Sequence, residues 1–150
     1  DMYIQLKTKI PLKINSYSKI VKLHNLAIKK ILAKKKNDKL LKIHEKYNFL
    51  IENLDKKYEV INSYNRLKLE SIIQHNCVVS YESLVNNGDC IILSFIENDK
   101  RYTIEISKNR KKYIPIQFLG ICNTEPEEKL VRQLDQEIAE INKKLKKISQ

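Results

Sequence analysis

Cys90-Ile91-Ile92-Leu93-Ser94-Phe95-Ile96, Arg101-Tyr102-Thr103-Ile104-Glu105-Ile106-Ser107 and Tyr113-Ile114-Pro115-Ile116-Gln117-Phe118 follow one another along the chain, and their reading decides the fold. The first run is almost continuously apolar, as a buried strand requires. The second alternates, with Tyr102, Ile104 and Ile106 on one face and Arg101, Thr103, Glu105 and Ser107 on the other. The third sets Ile114, Ile116 and Phe118 on one face and Gln117 on the opposite one. Asn98-Asp99-Lys100 and Lys108-Asn109-Arg110-Lys111 separate the runs, and links this short imply a three-stranded antiparallel meander. Pro115 has no N–H to give to a ladder, which puts the third strand at an edge.

Working outward, the residues before the meander read as helix. Asn62-Ser63 offers a cap for a helix over residues 64–73, Gln74-His75-Asn76 interrupts it, and a further helix over 77–85 stops at Asn86-Asn87-Gly88. Tyr58-Glu59-Val60-Ile61 is a short extended run. Further out, Ile20, Leu23, Ala27, Ile28 and Ile31 recur at helical spacing, and after Asn37-Asp38 so do Leu40, Ile43, Tyr47, Leu50 and Leu54. Two helices with so short a link fold back as an antiparallel hairpin. Ile10, Leu12 and Ile14 alternate, as in a short edge strand. Beyond the meander, Thr124-Glu125-Pro126-Glu127-Glu128 opens a helix with a cap, a proline in its first turn and acids near its N-terminus. That helix carries Val131, Leu134, Ile138, Ile141, Leu145 and Ile148, a stripe able to pack on the hairpin or on a second copy.

The expected architecture is therefore α+β: an N-terminal basic helical hairpin, short helices, a three-stranded antiparallel meander and a long C-terminal amphipathic helix. Its segments are 1–57, 58–123 and 124–150, compacted together. A chain of 150 residues with 42% apolar content can bury an ordinary core. No apolar run approaches the ~20 residues of a membrane span, and no secretory signal opens the sequence. The first residue is Asp rather than Met, as in a segment of a longer protein or a processed product. Three widely spaced cysteines without a CxxC speak for reduced thiols and a cytoplasmic setting.

Charge is unevenly spread. Of the net +11, residues 1–60 hold 15 lysines against 6 acids, while residues 124–150 are neutral. Lys19, Lys22, Lys29, Lys30, Lys34, Lys35 and Lys36 crowd the first helix, a field suited to nucleic-acid phosphates or an acidic protein surface. Abundant Lys, Ile and Asn beside scarce Arg is also what an AT-rich coding sequence produces, and lysines at a helix C-terminus complement its dipole.

His75-Asn76-Cys77-Val78-Val79-Ser80-Tyr81, the Gly88 turn, Arg101-Tyr102-Thr103-Ile104-Glu105-Ile106 and Gln117-Phe118-Leu119-Gly120-Ile121-Cys122-Asn123 resemble, in order and spacing, the PcfJ-like proteins. The resemblance covers roughly residues 60–126. This chain departs from the family at Glu70-Ser71, where an acidic-Gly pair is usual, and at Asn76, which separates a His and Cys that are usually adjacent. The resemblance implies association with plasmids, phages and other mobile elements. It supplies no established reaction.

Read chemically, His75, Cys77, Tyr81, Glu105 and Gln117 converge if the segment at Cys77 packs on the polar face of the meander. Cys and His can act as nucleophile and base, with Glu or Gln orienting or donating to an oxyanion. The structural reading is that Cys77 is a small buried hydrophobe, while Arg101, Glu105 and Gln117 hold sheet to helix. His75, Cys77, Cys90 and Cys122 have zinc-ligand chemistry, but only two of them are close in sequence, so no metal is expected. No cofactor is expected either, since two glycines exclude a glycine-rich phosphate loop. Two functions follow: a nucleic-acid or acidic-protein binding module, monomeric or dimeric through its last helix, and an enzyme using the Cys/His/Glu/Gln set.

Overall fold

The computed structural model describes residues 38–150 together with Leu26. The expected edge strand near residues 10–14, the first basic helix and its seven singled-out lysines lie outside the described residues. Leu40–Gln150 form one unit. A 3-10 helix (Glu45–Tyr47) runs into α1 (Asn48–Asn53), followed by β1 (Tyr58–Val60) and α2 (Tyr64–Gln74). A second 3-10 helix (Val78–Tyr81) runs into α3 (Glu82–Asn87). Then come β2 (Cys90–Glu97), β3 (Lys100–Asn109), β4 (Lys112–Leu119), a 3-10 turn (Ile121–Asn123) and α4 (Glu128–Ile148).

The sheet has four antiparallel strands in the order β1-β2-β3-β4, one more than the meander expected from sequence. The addition is β1, which pairs Tyr58 with Phe95 and Val60 with Leu93. Three residues are too few to show a period, so that run reads only as extended. β4 is an edge, as Pro115 implies.

Strand alternation gives the sheet two different faces. Ile91, Leu93 and Phe95 stand opposite Ile106, Ile104 and Tyr102. On this face they form one core with Tyr47 and Leu50 from the N-terminal side and Leu130, Leu134, Ile138 and Ile141 from α4. Phe95 lies at its centre, with ring centroids 5.0 Å from Tyr58, 5.8 Å from Tyr102 and 6.2 Å from Phe118. Each such side chain contributes about 1.5–3 kcal/mol on burial, so this face holds most of the stability. On the other face Ile92 lies opposite Glu105 and Ser94 opposite Thr103. Ile61, Leu67, Val78, Val85, Cys90 and Ile92 make a smaller core there.

Three expectations are corrected. The alternation expected for the third strand fails at a bulge: Glu105 pairs with Gln117 but Ile106 pairs with Pro115, leaving Ile116 as the extra residue. The phase therefore slips, Tyr113 is buried instead, and Ile114 and Ile116 are exposed. The second N-terminal helix is shorter than its periodicity suggests. Leu40 bridges Ser63, Leu41 N–H donates to Asn62 O at 2.8 Å and Lys42 N–H to Asn86 Oδ1 at 2.8 Å, so residues 40–42 are tied to other segments and not to a helix. Finally, α4 starts at Glu128, so Pro126 precedes the helix instead of occupying its first turn. No helix among the described residues is long and apolar enough to cross a membrane.

Candidate functional site

Helix α2 ends because His75 adopts a left-handed conformation (φ 50°, ψ 49°). Asn76 then locks the turn. Its N–H donates to Ser71 O at 3.1 Å, its Oδ1 accepts from Val78 N–H at 3.1 Å, and the Ser71 hydroxyl donates to its carbonyl. Val78 is buried and anchors the next segment, while the Cys77 carbonyl accepts from Ser80 N–H at 2.9 Å and Ser80 Oγ at 2.8 Å. The Cys77 thiol is thus exposed between two fixed residues.

This turn lies against the polar face of β3 and β4, and a cavity of about 230 Å³ opens between them. Cys77, Val78 and Tyr81 line one wall, Thr103 and Glu105 of β3 a second, and Gln117 and Leu119 of β4 a third. Asn76 and Asn123 complete the rim. The bulge at Ile116 keeps Gln117 directly across from Glu105. Cys77, Tyr81, Glu105 and Gln117 are therefore brought together. His75 is not: it is exposed at the cap of α2 and does not line the cavity, because the interposed Asn76 takes the position next to Cys77.

Partial burial pushes the Glu105 carboxyl up, opposed by a hydrogen bond from the Tyr81 hydroxyl. Tyr81 is raised too, by burial and then by the negative charge of Glu105. Burial thus disfavours the charged form of Glu105, and the Tyr81 hydroxyl is the donor that offsets part of that cost. Cys90, on the same face, is pushed up to about 12 by burial and is an inert thiol. The cavity is below the ~300–1,000 Å³ of common small-molecule sites, so it suits one polar group of a larger partner. Among the described residues, no three of His, Cys, Asp and Glu are placed to hold a metal ion.

Behind the cavity lies a polar network, of which the sequence placed Arg101 and Thr103 on the polar sheet face and marked Glu70 only as a departure from the family pattern. Glu70 is fully buried on α2. Its Oε2 accepts from Arg66 Nη1 at 3.0 Å and Arg101 Nη1 at 3.2 Å, and its Oε1 accepts from Thr103 Oγ1 at 2.8 Å. Arg66 also forks onto Glu59, at 2.7 and 2.8 Å, and so holds that carboxylate below the usual range. Arg101 reaches Ser94 Oγ at 2.7 Å, and Gln74 Nε2 donates to the Arg101 carbonyl at 3.0 Å. The available signal was the spacing of Leu67, Glu70 and Gln74, which share the buried face of α2.

Arg101 thus pairs with Glu70 and not with Glu105, leaving Glu105 facing the cavity. No curated protein and no solved structure matches the chain. The model of one family, the PcfJ-like proteins, matches residues 1–134, well beyond the span its short motifs cover. That match spans most of the chain, and the chain belongs to the PcfJ-like protein family.

Proposed function

We propose that this chain is a nucleic-acid-binding module of a plasmid, phage or similar mobile element, acting in the cytoplasm through its lysine-rich N-terminal segment. One observation carries the reading: residues 1–39 hold 11 basic side chains against 2 acids, while residues 40–150 hold 18 against 16. A net positive charge concentrated in one segment attracts a polyanion and orients it. Phosphate contacts release counterions, so binding falls steeply with salt and shows little sequence preference. Electrophoretic shifts of a labelled duplex across a salt series test this. The variant Lys29→Glu/Lys30→Glu/Lys34→Glu/Lys35→Glu is expected to lose binding and Cys77→Ala to keep it. Full binding by the charge-reversed variant rejects the reading, and retention of an acidic protein but not of the duplex moves the partner to that class.

A second reading has its own observation: four of the five residues singled out for chemistry line one cavity. In it the Cys77 thiol gives its proton to Glu105 and attacks a carbonyl carbon, the Gln117 amide steadies the oxyanion so formed, and the leaving group departs with the proton returned by Glu105. Alkylation kinetics separate the two readings. If Cys77 reacts no faster than Cys122, which is equally a free exposed thiol, the enzyme reading fails.

A further inference from the structure

The hairpin joining β3 to β4 and the last turns of α4 face each other across a hollow of about 360 Å³. Lys108, Arg110, Lys111 and Lys112 line it from the hairpin and Lys146 from the helix, and no acidic side chain among the described residues lines it. Residues 108–112 and 143–147 together carry 8 basic side chains and no acid, so the rest of residues 40–150 sums to −6. Five of those eight line the hollow itself, so the positive excess of this nearly neutral domain lies at this end. We propose that this hollow is a second phosphate-backbone site for nucleic acid, formed by residues other than the N-terminal lysines and on the sheet face away from the Cys77 cavity. The inference rests on the nucleic-acid reading above and extends it to the folded domain.

Two features show that the site is held in shape. Asn142 clamps the two walls: its Oδ1 accepts from Tyr113 N–H at 2.8 Å and its Nδ2 donates to Tyr113 O at 3.0 Å, as a neighbouring strand would. The Tyr113 hydroxyl continues to Lys46 O at 2.8 Å, and Lys108 Nζ sits 5.1 Å from the Tyr113 ring centroid. Arg110 takes a left-handed φ of 54°, whereas the β2–β3 hairpin fills its left-handed positions with Asn98 and Asp99. A bulky residue at such a position costs about 1–2 kcal/mol, and here that strain presents a guanidinium. Nucleic acid fits better than an acidic protein because, among the described residues that line the hollow, Leu145 alone is apolar. Protein interfaces centre on buried aromatic or aliphatic anchors, whereas lysine point charges around an open hollow suit phosphates.

The test uses the full chain and a 20-base-pair duplex over a salt series. In Arg110→Gln/Lys111→Gln/Lys112→Gln/Lys146→Gln, affinity is expected to fall at least tenfold. The log-log salt slope should become shallower by roughly 0.9 for each phosphate that the variant no longer neutralises, with the unfolding midpoint unchanged. Should that variant lose its unfolding transition, Lys146→Glu alone, on an exposed helix position, carries the test. An unchanged slope in the hollow variant, with binding lost in the N-terminal charge-reversed variant, overturns this inference and leaves the earlier reading standing. The reverse pattern supports the hollow and removes the N-terminal lysines from the interface. Polyglutamate competing as well as unlabelled duplex overturns the assignment to nucleic acid.

Discussion

Replacing Glu70 by Gln removes a charge from the most buried polar position and changes little else in volume. With its oxygen toward the two guanidinium N–H groups, which lie at 3.0 and 3.2 Å in the native chain, and its Nε2 toward the Thr103 hydroxyl, the amide leaves both arginines without the charge that neutralises them there. Each hydrogen bond to a charged group is worth about 1.5–3 kcal/mol, and breaking a buried pair by removing one partner costs about 3–5 kcal/mol. Arg66 keeps Glu59 and Arg101 keeps Ser94, so the lower end applies, about 3 kcal/mol. With a urea m-value of roughly 2 kcal/mol/M for a domain of this size, the midpoint should fall by about 1.5 M at unchanged m. Because the pair is shielded from water, 0.5 M NaCl should leave the difference almost intact. A Glu70→Gln protein within about 0.5 kcal/mol of wild type, or one whose deficit disappears in high salt, would refute the claim that this network holds α2 to the sheet.

Glu105→Gln should act in the opposite direction. Burial raises the Glu105 carboxyl, so its contribution is fullest below the ordinary carboxylate range and is lost as pH rises through the raised value; the amide should therefore be more stable than wild type at pH 7 and equal to it at pH 4, read by thermal melts at both. Gly88→Ala places a Cβ at φ 82°, 3.0 Å from the His44 side chain, and should cost about 1–2 kcal/mol in urea titration. Leu134→Ala, at a fully packed position under the sheet, should cost about 2–5 kcal/mol and lower the melting temperature accordingly.

What the sequence made legible depended on how many residues carried each signal. The Tyr102-Ile104-Ile106 alternation spans a full strand and survives in the structure, as does the stop at Gly88. The Ile114-Ile116-Phe118 alternation was just as regular, yet a tertiary demand overrode it: Tyr113 has a buried ring and a hydroxyl reaching Lys46 O, and a bulge at Ile116 makes room for both. β1 was legible only as an extended run, because its pairing partner lies more than thirty residues away and no local pattern reports that. In the cavity, strand parity was enough to place Glu105 and Gln117, and the short link after α2 was enough to place Cys77 and Tyr81. His75 is not at the cavity because it is itself the exposed left-handed cap of α2 and Asn76 takes the place beside Cys77, a turn that helical spacing does not report.

Thr103 ties the two halves of the polar face together. Its hydroxyl donates to Glu70 in the buried network, and the same residue forms part of the cavity wall beside Glu105. α2, pinned through Glu70 and Arg101, ends directly in the turn that presents Cys77. Loosening the network should therefore be felt at the cavity without touching any group that lines it except Thr103. Cys77 is exposed in the native fold, so global unfolding alone changes its access little. A Glu70→Gln protein that remains folded yet shows altered Cys77 alkylation, with Cys122 unaffected, would mark the network as what positions the thiol. An unchanged Cys77 rate would confine Glu70 to holding the fold.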